Sequence, residues 1–388
     1  MNLLLTFTTN SSLKNWDDRG ILSREILLYK KLSKKGVKIS FLTYGDKTDL
    51  NLSKSLEKIE ILTCKKYVES RSPLLTYFKT LFLPIKLRKF FLKADIIKTN
   101  QVLGGIVGLI AKTLYRRRLI VRGGYERLYN YMVKVKKKGL KNLIKYFINY
   151  FTIYLSEFLI YKIADHIILT NEPDIQFIKK RFFLNKKERN DQLHHFYNYI
   201  NIDLFKPLNM TKKEKSVLYI GRLTRAKNLF NLIEAFKDLK DFSLDFIGKG
   251  SLETELRERA LLCNENINFL GLIPNEKLPE IINQYQIFIL PSYFEGNPKV
   301  LLEAMSCGIA CIGSNIKGIN NLINHCENGY LCDLDSDSIK SAVYMVYEDK
   351  NLRRKIGENA RKFIEENCDI NLIVKKEYEL YKRTLNLY

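Results

Sequence analysis

The sequence predicts an α/β protein made of two doubly wound parallel-sheet domains. Three observations predict it. Short apolar runs alternate with amphipathic stretches in a βαβα rhythm. That rhythm restarts after a polar segment at residues 209–215. The charge balance changes at the same place. At about 150 residues per domain, a chain of 388 residues suits two domains. With 46% apolar and 28% charged residues, the composition is that of an ordinary globular protein. It excludes intrinsic disorder, a collagen-like repeat and a small disulfide scaffold. No uncharged apolar run reaches the length of a membrane span. The start, Met1-Asn2-Leu3-Leu4-Leu5-Thr6-Phe7, lacks a basic n-region and reads as a strand rather than a signal peptide. A cytoplasmic location is the expectation.

The elements follow in order. Residues 3–7 read as a strand. Residues 20–34 read as an amphipathic helix, with Ile21, Ile26, Leu28, Tyr29 and Leu32 near one face and Gly36 ending it. Strands are expected at 37–43, 95–99, 119–121 and 165–169, with a helix at 104–115 between the second and third. Parallel strands joined this way need helices on both faces of the sheet. Residues 199–207 and the polar stretch after them read as the linker. Beyond it, strands are expected at 216–220, 244–247, 268–270, 287–290 and 310–313, with helices at 228–239 and 252–262. The predicted domains are 1–205 and 206–371, with a last helix at 372–388 packing back on the first. Open α/β sheets bind ligands beyond the carboxyl ends of their strands, so two facing sheets put a site in the cleft between them.

The net charge of +23 lies wholly in the first half. Residues 1–200 hold 39 Lys/Arg and 16 Asp/Glu, whereas residues 201–388 hold 26 of each. A basic half-protein expects an anionic partner. Two stretches mix cations with aromatics, which suits a bilayer interface. One combines Phe78, Phe82, Phe90 and Phe91 with Lys79, Lys86, Arg88, Lys89 and Lys93. The other runs from Arg116-Arg117-Arg118 through Lys134 and Lys136-Lys137-Lys138 to Tyr146–Phe151. An anionic membrane surface is therefore the expected partner. No nucleic-acid motif accompanies the charge. Seven scattered cysteines, an odd number without Cys-x-x-Cys, read as reduced packed thiols.

Two constellations carry chemistry. In Tyr219-Ile220-Gly221-Arg222-Leu223-Thr224-Arg225-Ala226-Lys227-Asn228, directly after a strand, Gly221 permits a tight turn. Arg222 and Lys227 then sit beside a helix start, the makings of a phosphate site. In Ser292-Tyr293-Phe294-Glu295-Gly296-Asn297-Pro298-Lys299-Val300-Leu301-Leu302-Glu303, Glu295 lies in a turn after a buried strand. Glu303 lies in a helix expected to begin near Pro298. Two acids flanking a helix start suit the binding of hydroxyls and an anion together.

These residues, with Gly318-Ile319-Asn320-Asn321-Leu322-Ile323 and Glu327-Asn328-Gly329-Tyr330-Leu331, resemble family 4 of the retaining glycosyltransferases. The likeness is specific over 217–331. Earlier in the chain it rests on Gly123-Gly124-Tyr125-Glu126 and Ala164–Thr170. The resemblance implies the GT-B fold, two Rossmann-like doubly wound domains facing a cleft. It implies that Arg222 and Lys227 hold the diphosphate of a nucleotide sugar, that Glu295 contacts the transferred sugar, and that Glu303 binds the ribose. It places the amides around Asn297, Lys299 and Val300 at the sugar and diphosphate, and Leu272 and Ile273 at the base. Gly20 stands where a glycine loop nears the diphosphate. Arg122 stands where many members have a histidine near the reacting carbon. The implied enzyme is a retaining hexosyltransferase without cofactor or metal. It uses a UDP-sugar, or alternatively a GDP-sugar, and a lipid-linked glycan acceptor in surface polysaccharide or lipopolysaccharide assembly. A nucleotide-sugar epimerase and a catalytically silent membrane-bound partner are the alternatives.

Other patterns have plainer readings. Asp333-Leu334-Asp335-Ser336-Asp337 imitates an Asp-x-Asp metal motif but precedes a helix expected near Ser338, where capping is the role. Gly248-Lys249-Gly250-Ser251 lacks P-loop spacing and reads as a turn after a strand. His194-His195 sits in a strand with no acid at triad spacing.

Overall fold

The computed structural model describes residues 1–124, 128, 131–132, 143–182 and 191–387. The chain divides into two compact units. One is Met1–Phe196 with Val374–Tyr388, and the other is Tyr197–Ile373. The first unit thus ends at Phe196 rather than at Phe205, and the stretch expected as a linker belongs to the second. There Ile200 bridges Asp369. The Arg361 guanidinium donates to the Phe205 carbonyl at 2.7 Å and to the Ser306 carbonyl at 3.0 Å.

The first unit is a seven-stranded parallel sheet. Its strands are β1 (Asn2–Thr6), β2 (Lys38–Thr43), β3 (Glu60–Thr63), β4 (Ile96–Thr99), β5 (Arg118–Gly123), β6 (His166–Leu169) and β7 (Leu193–His195). Their order is β3-β2-β1-β4-β5-β6-β7, so the winding reverses between β1 and β4. Central strands are buried on both faces and read as continuous apolar runs, as parallel sheets require. The helix expected at 20–34 occupies Leu22–Lys34. A second, shorter helix at Leu13–Asp18 precedes it, capped by Ser12 and pinned where Trp16 stacks on Phe7 at 4.6 Å. Its six residues are too few for a periodic signal in sequence.

The last helix, Ile370–Thr384, returns residues 374–388 to this unit. Its Glu377 is fully buried and ion-pairs with Lys98 of β4 and with Arg122 of β5. Tyr381 Oη donates to Glu377 at 2.6 Å. Burial pulls the Lys98 ammonium down from its usual range, and the attraction of Glu377 opposes that shift.

The second unit is a six-stranded parallel sheet of β8 (Ser216–Ile220), β9 (Ser243–Ile247), β10 (Ile267–Gly271), β11 (Ile287–Leu290), β12 (Ala310–Ser314) and β13 (Tyr330–Cys332). The order β10-β9-β8-β11-β12-β13 reverses between β8 and β11. Its helices include Leu229–Ala235, Glu253–Cys263, Lys299–Ser306, Ser336–Glu348 and Lys350–Asn367. All residues of β8, β11 and β12 are buried. All seven cysteines are free thiols.

Three expectations concern the surface and the turns. Phe78 and Phe82 are about half exposed, as are Ile148 and Phe151, and Phe147 more so. Phe91, read as part of a basic aromatic stretch, instead lies in the core. Lys134, Lys136–Lys138, Tyr125 and Glu126 lie outside the described residues. Among the described residues no helix is long and apolar enough to cross a membrane. Asp335 caps the Ser336–Glu348 helix, accepting from the Ser338 amide at 2.9 Å.

Candidate functional site

The winding of the second sheet places the site. Where strand order reverses, the loops leaving two adjacent strands diverge to opposite faces and open a crevice at their carboxyl ends. Here those strands are β8 and β11, and the loops leaving them, 221–228 and 291–298, hold Arg222, Lys227 and Glu295.

The first loop is folded by local chemistry. Gly221 continues β8 by donating to the Ile247 carbonyl at 2.9 Å. Tyr219, fully buried, turns its hydroxyl back to the Arg222 carbonyl at 3.1 Å. Residues Arg225–Lys227 make one 3-10 turn, and Asn228 reverses the chain in the left-handed region at φ 58°. Its amide and that of Asn231 both donate to the Leu334 carbonyl, at 2.7 and 2.9 Å. Behind this loop runs the Gly248–Ser251 turn. Gly248 has φ +136°, and a Cβ there would stand 2.0 Å from the Gly221 carbonyl oxygen. The glycine turn is the backing of the Gly221–Leu223 backbone.

The second loop is tied to the first. The Tyr293 amide donates to the Ala226 carbonyl at 2.9 Å. The Lys227 ammonium ion-pairs with the Glu295 carboxylate, and both side chains are nearly buried, 13% and 12% exposed. Ser292 Oγ donates to the same Glu295 oxygen at 2.7 Å. Gly318, at φ +94°, lies against the carbonyls of Glu295 and Gly296, where a Cβ would come within 2.5 Å of both oxygens. Burial raises the Tyr219 phenol well above its usual range. The Glu295 charge raises it further and the Arg222 charge opposes it, so both ions act on one hydroxyl.

The Lys299–Ser306 helix begins one residue later than expected, with Pro298 as its cap rather than its first residue. Asn297 is buried, and Asn198 donates to its carbonyl at 2.7 Å. Lys299 lies over the Tyr199 ring at 4.3 Å. Val300 is half-buried against the core. Glu303 is buried and accepts a hydrogen bond from Asn275 Nδ2 at 2.9 Å. That bond links it to the segment after β10, where Leu272 is exposed and Ile273 packs on the core. The Gly271 carbonyl accepts from the Gly248 amide at 2.7 Å. Ser292, Asn275 and Asn198 were not foreseen. The partners of Asn275 and Asn198 lie on other segments, whereas Ser292 acts within its own loop, three residues before Glu295.

Gly20 and Arg122 belong to the first unit. Gly20 follows the Leu13–Asp18 helix at φ 64°, its amide on the Asp17 carbonyl at 2.8 Å. Arg122 is 8% exposed near the carboxyl end of β5, and its Nη1 donates to Glu377 at 2.9 Å. Sequence alone gives no sign of that ion pair, whose partner comes 255 residues later.

Comparison with known proteins bears on the same segment. The profile of the family described as "Glycosyl transferases group 1" matches residues 201–363. An uncharacterized glycosyltransferase of Methanocaldococcus jannaschii is 30% identical over 59% of this chain, which spans 61% of that relative's length. A UDP-Gal:alpha-D-GlcNAc-diphosphoundecaprenol alpha-1,3-galactosyltransferase of Escherichia coli is 27% identical over 74% of this chain and 75% of its own. Among solved structures, sucrose-phosphate synthase from Thermosynechococcus elongatus superposes with a TM-score of 0.77 over 100% of both chains at 18% identity, a likeness of fold.

Proposed function

We propose, from the premise that this chain carries a glycosyl transferases group 1 domain on a GT-B fold, that it is a retaining, metal-independent hexosyltransferase. Its donor is a nucleotide-diphosphate sugar, UDP-linked in preference to GDP-linked. Its acceptor is a lipid-linked glycan, and its role is in surface polysaccharide or lipopolysaccharide assembly at the inner face of a membrane. One observation carries the reading: the β8 and β11 loops bring a cation and a carboxylate, Lys227 and Glu295, into contact at the switch point.

The chemistry follows from that contact. Breaking the bond between the sugar's anomeric carbon and the phosphate oxygen puts negative charge on the departing diphosphate. A cation about 4 Å away stabilises it by about 4 kcal/mol at an effective dielectric of about 20. Arg222 and Lys227 supply two such charges, and the start of the Lys299–Ser306 helix adds a fixed dipole. Glu295 accepts hydrogen bonds from the hexose hydroxyls, and Glu303, steadied by Asn275, those of the ribose. In the retaining reaction the acceptor hydroxyl oxygen bonds to the anomeric carbon on the face the diphosphate leaves. Its proton passes to the leaving phosphate oxygen, so no protein nucleophile is needed.

Two further observations support the acceptor and location. The E. coli relative is named for a diphosphoundecaprenol-linked substrate. The excess positive charge lies in residues 1–200, where Phe78, Phe82, Phe147, Ile148 and Phe151 are exposed. Apolar side chains among cations suit anionic lipid.

The test is a screen of radiolabelled UDP- and GDP-hexoses with membrane extract, followed by the anomeric configuration of the product. Label in a lipid-extractable product with the donor's configuration is expected. Turnover of the sugar nucleotide without an acceptor would favour the epimerase instead. Inversion at the anomeric carbon would contradict retention.

A further inference from the structure

We infer that Glu295 is an exchangeable counter-ion for Lys227, and that this exchange makes the site prefer a nucleoside diphosphate with its sugar attached over the free nucleoside diphosphate. The inference rests on the donor-site reading above and concerns the same residues.

The Lys227 ammonium does not stand open to a phosphate. It is already engaged by the Glu295 carboxylate, in a spot where both side chains are nearly buried. Ser292 Oγ holds the same carboxylate oxygen at 2.7 Å. The loops that carry the two partners are tied to each other and to the fold. The Tyr293–Ala226 hydrogen bond joins the two loops, and Gly318 backs the Glu295 and Gly296 carbonyls. A diphosphate reaching Lys227 must therefore compete with Glu295 for the ammonium.

The outcome depends on what else the ligand carries. Free nucleoside diphosphate takes Lys227 and offers Glu295 nothing in return. A carboxylate left in a poorly hydrated place without its cation is costly, and that cost is subtracted from the binding of the diphosphate. A sugar nucleotide brings hydroxyl donors that replace the ammonium at the carboxylate, so both ions keep partners. Once the hexose has left for the acceptor, Glu295 recovers Lys227 and loosens the product. Glu295 is thereby a specificity-determining residue as well as a sugar contact.

The test is calorimetric titration of wild type, Glu295→Gln and Glu295→Ala with UDP and UMP, or with GDP and GMP if the base is guanine. Melting temperatures establish that the variants are folded. Both variants are expected to bind the diphosphate about five- to tenfold more tightly than wild type, the range of a modest coupling between sites. The monophosphate, lacking the second phosphate, should bind all three alike. The sugar nucleotide should lose its advantage over the free diphosphate in both variants. If wild type binds the diphosphate but the variants bind it equally or more weakly, the exchange is overturned and the donor site stands. An equal gain for the monophosphate also overturns it. If wild type binds neither UDP nor GDP, the donor-site reading fails and takes this inference with it.

Discussion

Glu303 shows how a single buried acid is held in place. Its carboxylate accepts from Asn275 Nδ2 at 2.9 Å, a bond between the helix after β11 and the segment after β10. A hydrogen bond to a charged group is worth about 1.5–3 kcal/mol. Asn275→Ala is therefore expected to lower unfolding stability by about that amount, read by denaturant titration, and to weaken nucleoside binding. A variant with wild-type stability and affinity would remove Asn275 from the account. The residue types and their spacing were legible in sequence. Arg222, Lys227, Glu295 and Glu303 each stand at a fixed offset from an apolar strand. Two of the residues that hold them were not, because Asn275 and Gly318 reach their partners through the fold; Ser292 lies only three residues from Glu295, within the same loop. Arg122 makes the same point, since its ion pair with Glu377 joins β5 to the last helix.

At the scale of elements, the site depends on loops that pack backbone against backbone. Gly318→Ala would force a Cβ to within 2.5 Å of two carbonyl oxygens at a positive φ. Backbone strain of about 1–3 kcal/mol is the expected consequence. It should appear as a lower melting temperature and a weaker nucleotide affinity together. An unchanged affinity would show that the 291–298 loop does not need this support. A second element is the β6–β7 edge. His166 Nδ1 and His194 Nε2 are 3.0 Å apart. Burial, then the nearby His166 and Arg383, holds His194 down to about 4, and burial lowers His166 as well. Below about pH 6.5 the unfolded chain takes up protons that the folded one refuses until about 4. Stability should therefore fall as pH drops through that window, and His194→Asn should flatten the fall in melting temperature. An unaltered slope would place the acid sensitivity elsewhere. Legibility of elements follows burial. β8, β11 and β12 are buried throughout and mostly apolar, and were expected within a residue of their ends. β3 and β13, four and three residues long and partly exposed, carry no such signal. The Lys350–Asn367 helix is mostly polar, but Ile356, Ala360 and Ile364, four residues apart and buried, mark its inner face.

At the scale of the molecule, the asymmetry of charge is the feature most open to test. The excess of +23 falls in residues 1–200, together with the exposed Phe147, Ile148 and Phe151. Binding to anionic phosphatidylglycerol vesicles is expected. It should weaken steeply between low and physiological salt, as a screened surface interaction does. Phe147→Ser with Phe151→Ser should weaken what salt leaves. Equal binding to neutral vesicles would contradict an electrostatic contribution. The central claim lies elsewhere, in the loops of β8 and β11, and isothermal titration tests it most directly. Wild type is expected to bind UDP or GDP, and the doubly substituted Arg222→Ala, Lys227→Ala protein is expected to lose that binding while still folded. Binding that survives both substitutions, or is absent from the wild type, would contradict the claim.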